Sequence, residues 1–190
     1  MRPESDFTPP SAFCPHPGRW TAIDVESAER EVTELVAALV RALQPDYAVE
    51  TGTAFGHTAE AIGVALRRNG HGRLVTLEMD ETRAAEAEER CAQLPVKVLR
   101  RRSLDFVPEA PIQFAWLDSG ILDRDRELRR FLPWMAAGTV VAVHDTGPQH
   151  PVHARLQEFL REGLVRAVRL RTPRGVTILE VVADGIHSAL

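Results

Sequence analysis

The chain has 190 residues, 44% of them hydrophobic and 26% charged, with a formal net charge of −4. That length suits one domain with a full core, and an acidic balance without a long basic run excludes a nucleic-acid binder that works through phosphate contacts. No apolar stretch approaches the ~20 residues that cross a bilayer, and the two cysteines, Cys14 and Cys91, lack metal-type spacing and read as reduced cytosolic thiols.

Residues 1–22 are expected to be a proline-rich arm or lid, with Pro3, Pro9, Pro10, Pro15 and Pro17 against helix and Phe13 and Trp20 as anchors. Glu4 and Asp6 stand where a secretion signal would be apolar, so a cytoplasmic location is expected. The arm either covers a ligand, meets a second copy in a homo-oligomer, or stays irregular. From Val25 to Leu43 the apolar positions Val32, Leu35, Val36, Leu39, Val40 and Leu43 recur at helical spacing, and Pro45 ends the run.

A regular alternation follows through residues 23–190, read as one domain. Strands are expected at Tyr47–Glu50, Arg73–Glu78, Val96–Leu99, Ile112–Leu117 and Thr139–Val143. Helices are expected at His57–Arg68, Glu81–Leu94, Leu122–Phe131 and Val152–Arg161. Two last strands, Val165–Arg171 and Val176–Val182, flank a hairpin turn, Thr172-Pro173-Arg174-Gly175. Strands alternating with helices specify an α/β fold with a mostly parallel sheet covered on both faces.

The first strand ends in Glu50-Thr51-Gly52-Thr53-Ala54-Phe55-Gly56, and a helix begins at His57. In open α/β sheets ligands sit at the carboxyl ends of the strands, near the point where strand order reverses. Gly52 permits a sharp turn there, Gly56 permits close backbone approach to a ligand, and the helix amides behind them favour a negative group. The second strand ends in Glu78, whose carboxylate can accept from a ribose diol. Both glycines serving packing and Glu78 being a solvated strand end is the plainer alternative.

Dinucleotide folds usually carry G-x-G-x-x-G, whereas this turn reads E-x-G-x-x-x-G. With the terminal hairpin, the pattern resembles the class I S-adenosylmethionine-dependent methyltransferases over roughly residues 25–182. The resemblance implies a Rossmann-like seven-stranded sheet with an antiparallel last strand. It also implies that Glu50, Gly52, Thr53 and Gly56 hold the amino-acid end of S-adenosylmethionine. Glu78 would take the ribose hydroxyls, and Ser103, Leu104 and Asp105 would flank adenine.

A second cluster sits at the next two strand ends, Asp118 after the fourth and His144-Asp145 after the fifth. The layout is similar to the metal-dependent O-methyltransferases of the catechol and macrocin types, which take an acid and a polar pair at these places as metal ligands. His144 departs from the acid or amide found there, and imidazole suits Mn, Fe or Zn better than Mg. Three roles stay open for Asp118, His144 and Asp145: ligands to a divalent metal, a His144 general base oriented by a carboxylate, or caps of strand and helix ends.

The implied activity is methyl transfer to a small-molecule acceptor, at oxygen, with no nucleic-acid or membrane partner. Two rivals are an NAD(P)-dependent oxidoreductase or epimerase, and a methyltransferase-like protein that binds without turnover. Against the first, Tyr47 is the only tyrosine and Lys97 the only lysine, so no Tyr-x-x-x-Lys pair exists.

Overall fold

The computed structural model describes residues 13–182. The arm's first twelve residues, including Pro3, Pro9 and Pro10, lie outside that range. Among the described residues, five α-helices and seven β-strands follow in chain order. They are α1 Arg30–Leu43, β1 Tyr47–Thr51, α2 His57–Asn69, β2 Arg73–Glu78, α3 Glu81–Cys91 and β3 Val96–Arg100. Then come β4 Ile112–Leu117, α4 Arg124–Phe131, β5 Met135–His144, α5 Pro151–Arg161, β6 Val165–Leu170 and β7 Val176–Val181.

The strands form one sheet in the order β3-β2-β1-β4-β5-β7-β6. β1 pairs in parallel with β2 and β4, and β7 runs antiparallel to both β5 and β6. Strand order therefore reverses between β1 and β4, which places the binding crevice at their carboxyl ends.

Period-2 alternation divides the strand residues between two cores. Ala48, Leu74, Phe114 and Trp116 pack with Val36, Val40, Ile62 and Leu66 of α1 and α2 on one face. Val49, Ala115, Leu117 and Val141 pack with Leu128, Phe131, Leu156 and Phe159 of α4 and α5 on the other.

Helix α1 begins five residues later than the hydrophobic spacing predicts. Asp24 accounts for the delay: Oδ1 accepts from the amides of Glu26 (2.8 Å) and Ser27 (2.7 Å), and Oδ2 from the Ser27 hydroxyl (2.8 Å). Those bonds offer the backbone a turn in place of a helix. The consequence is functional, because the turn holds Val25 and Glu26 over the crevice. Of the described part of the arm, Cys14 is buried, Trp20 packs against the α1–α2 core, and the Phe13 carbonyl accepts from Arg171 Nε (2.7 Å). Among the described residues no helix is long and apolar enough to cross a membrane.

Candidate functional site

A cleft of about 360 Å³ opens at the carboxyl ends of β1, β2 and β4, a size within the ~300–1,000 Å³ of small-molecule sites. Gly52 and Ala54 line it from the first turn, Leu77, Glu78 and Met79 from β2, and Asp118 and Ser119 from β4. Val25, Glu26, Arg101, Arg102 and Ser103 complete the rim.

The two glycines of the turn do different work. Gly52 has φ +76°, and a Cβ there would stand 2.3 Å from the Asp118 carbonyl oxygen. The ends of β1 and β4 can meet only because this position has no side chain. Gly56, at φ +83°, does not line the cleft; its missing Cβ would stand 3.0 Å from Ala87 Cα. Gly56 thus lets α3 pack on the start of α2, the packing role rather than the ligand approach expected of it.

Glu78 sits at the predicted place, largely withdrawn from solvent. Its Oε2 accepts from the Ala54 amide (2.9 Å) and its Oε1 from the amides of Met79 (2.9 Å) and Asp80 (3.0 Å). A carboxylate offers about four acceptor positions, so one remains at Oε2 for a ligand hydroxyl. Glu50 and Thr53, in contrast, lie beneath the cleft and not on its wall. The Thr76 hydroxyl donates to Glu50 Oε2 (2.5 Å) and contacts the Thr53 hydroxyl (2.5 Å). Burial, then the nearby Asp118 and Glu78 charges, push the Glu50 carboxyl up to about 8. Ser103 lines the cleft, while Leu104 is half-buried and Asp105 exposed, and neither lines it.

Asp118, His144 and Asp145 do converge, with potential ligand atoms within 4.8 Å of one another. The space between the carboxylates belongs to a guanidinium. Arg124, 3% exposed, donates through Nη2 to Asp118 Oδ1 (3.0 Å) and places Nη1 at 2.8 Å from Asp145 Oδ2. It also donates to the backbone carbonyls of Ser119 (2.9 Å) and His144 (2.6 Å). Behind it, fully buried His144 faces Asp118 Oδ1 with Nδ1 (2.9 Å) and Glu29 Oε2 with Nε2 (3.2 Å). Arg174, from the β6–β7 turn, reaches Glu29 (3.2 Å) and Asp145 (3.6 Å).

Three carboxylates thus interleave with three cationic groups. Burial disfavours charge on His144, yet Asp118 and Asp145 raise it to about 9. Burial would raise Glu29, but His144 and Arg174 hold it at about 2. Asp145 is likewise held well below the usual carboxylate range by His144, Arg124 and Arg174 against the opposing effect of burial. Asp145 also adopts φ +51°, a left-handed conformation that Asp tolerates better than most residues.

This arrangement bears on two of the three roles left open for the trio. A general base must hold a free lone pair within reach of the proton it takes. His144 faces a carboxylate oxygen with each ring nitrogen, and it does not line the cleft. A metal needs deprotonated ligands with free lone pairs, and here Arg124 already spans both carboxylates while each imidazole nitrogen faces a carboxylate oxygen. Asp118 and Asp145 do face the cleft, beside Arg124 and Arg174.

Four residues that carry this site were missed: Glu29, Arg124, Glu127 and Arg174. Glu127, fully buried, accepts from the hydroxyls of Thr51 (2.8 Å), Ser119 (2.5 Å) and Ser103. It fastens the ends of β1 and β4 to the segment after β3. A signal was available, since Arg124, Glu127, Leu128 and Phe131 are spaced along one helical face, and all four are buried. His150, just before α5, is 6% exposed, and burial lowers its ring pKa.

A family model described as a methyltransferase domain matches residues 49–146. No curated protein sequence matches this one. Among solved structures, the chain is similar to the O-methyltransferase TomG from Streptomyces achromogenes, solved in complex with SAM, at 23% identity and TM-score 0.66, covering 84% of this chain and 83% of that one. It is similar to an O-methyltransferase from Bacillus cereus in complex with SAH, at 19% identity and TM-score 0.69, covering 84% of each chain. A third is the SAH-bound Podospora anserina methyltransferase PaMTH1, at 16% identity and TM-score 0.69, covering 82% of this chain and 80% of that one.

Proposed function

We propose, from the premise that this chain belongs to the methyltransferase domain family, that it is an S-adenosylmethionine-dependent enzyme that methylates a small molecule at oxygen. The observation that carries the reading is the cleft at the β1–β4 reversal point. It presents Gly52 and Ala54 on one side and the Glu78 carboxylate, with one acceptor position open, on the other. The O-methyltransferases solved with SAM or SAH on the same fold support the choice of cofactor and of acceptor atom.

Bound S-adenosylmethionine would supply an electrophilic methyl group and a neutral leaving group. The chain's own task is alignment, bringing the acceptor oxygen to within ~3–3.5 Å of that carbon, in line with the breaking bond. Glu78 would hold the ribose hydroxyls, and the Gly52–Ala54 backbone would lie against the amino-acid tail. Ser103 and the exposed Arg101 and Arg102 would stand at the base. Asp118, Arg124, Asp145 and Arg174 form the wall that the acceptor meets.

The reading is tested by incubating full-length protein with methyl-labelled S-adenosylmethionine and a panel of small phenols, hydroxy acids and amines. Label is expected on an oxygen nucleophile. Label confined to amines would overturn the choice of oxygen.

A further inference from the structure

The wall of charges at the ends of β4 and β5 has the outline of a metal centre and the contents of something else. Two carboxylates and an imidazole point inward. Most of this anionic face already meets cations that belong to the chain, although Asp145 Oδ1 is left without a hydrogen bond, with Arg174 Nε 3.6 Å away. Asp118 Oδ1 accepts from both Arg124 and His144, and Asp145 Oδ2 pairs with Arg124. His144 offers no lone pair, since each ring nitrogen opposes a carboxylate oxygen.

The Arg124 guanidinium is not a loose surface group that a metal could push aside. Its planar fork is fixed at three of its nitrogens, to Ser119 O, to His144 O with Asp145, and to Asp118. Expelling it would strand a permanent charge in a site where its side chain is 4% exposed. It would also leave two backbone carbonyls without their donor.

We infer that Arg124 is the resident cation of this site, and that the protein works without a divalent metal ion. The inference rests on the proposed function for its meaning, because it says how the acceptor wall of that cleft keeps its charge balanced. Two acids and a fixed guanidinium replace acids and a metal, with Arg174 and His144 completing neutrality. Lewis-acid activation of the acceptor is therefore not part of this enzyme's chemistry, and orientation by Arg124 and its carboxylates takes its place.

The test uses the full-length wild-type protein, stripped with a chelator and titrated with MnCl2 alone, with and without S-adenosylhomocysteine. Free Mn(II) is read by electron paramagnetic resonance and heat by calorimetry. The expected result is no saturable uptake of Mn(II) up to millimolar concentration, and an affinity for S-adenosylhomocysteine unchanged by chelation. One Mn(II) per chain, lost on Asp145→Ala, would overturn the inference. In Arg124→Met the acidic pair loses its guanidinium, and uptake of Mn(II) by that variant alone would support it. The wild-type titration decides the matter even where that variant does not fold. Failure to bind S-adenosylhomocysteine would instead sink the methyltransferase reading and leave the metal result legible.

Discussion

Gly52→Ala is expected to abolish measurable binding of S-adenosylhomocysteine. The added Cβ would stand 2.3 Å from the Asp118 carbonyl oxygen and 2.7 Å from Ser119 Cα, so both backbone segments must part. The φ of +76° adds strain of its own, about 1–2 kcal/mol for a residue with a Cβ. Unfolding should become easier by roughly 2–4 kcal/mol in total. The larger effect is on the cleft, because Asp118 and Ser119 form one of its walls. Displacing such a wall by about 1 Å typically costs ~100-fold in function. Calorimetry and chemical denaturation on the same samples separate the two effects. An affinity within a factor of ~3 of wild type would show that the β1–β4 contact does not shape the cofactor site.

Glu50→Gln is expected to stabilise the protein, and to do so increasingly as pH rises. Glu50 is buried, and its carboxyl is pushed up to about 8 from an ordinary value of 4.5. The folded state therefore holds a proton that the unfolded state has released. That preference is fully present below pH 4.5 and is lost progressively as pH climbs to about 8. Gln keeps an oxygen to accept from the Thr76 hydroxyl and has no proton to lose. The difference in unfolding free energy between variant and wild type should grow between those two values and then level off, reaching on the order of 5 kcal/mol. Denaturation curves collected across that range check it. Parallel pH profiles for the two proteins would mean that Glu50 is already ionised in the native state.

The order of strands and helices was readable because apolar periodicity marks each element, and Gly52 and Glu78 were readable because a turn and a strand end have few other uses for them. Gly56 was assigned to the right turn and the wrong neighbour. Sequence shows that a Cβ is excluded, but not that Ala87 of α3 is what excludes it. The ionic cluster was half legible. Asp118, His144 and Asp145 stood at strand ends, where the fold concentrates its chemistry. Arg124 and Glu127 sat among many charged residues in the expected helix Leu122–Phe131, where nothing in composition singles them out. Their coincidence with Leu128 and Phe131 on one face was the overlooked sign.

Glu29 and Arg174 could not be found by spacing at all. They are 145 residues apart in sequence, and meet only because β7 runs back beside β5 and swings the hairpin turn over the cleft. Those cations pair with the carboxylates that, read alone, suggested a metal.

The crevice beside Gly52 and Glu78 is expected to receive an adenosyl-methionine skeleton. Isothermal titration of the intact protein with S-adenosylhomocysteine, and separately with NAD, tests this most directly. One saturable site per chain for S-adenosylhomocysteine and no heat from NAD is the predicted result. Saturable binding of NAD with none of S-adenosylhomocysteine or S-adenosylmethionine would contradict it.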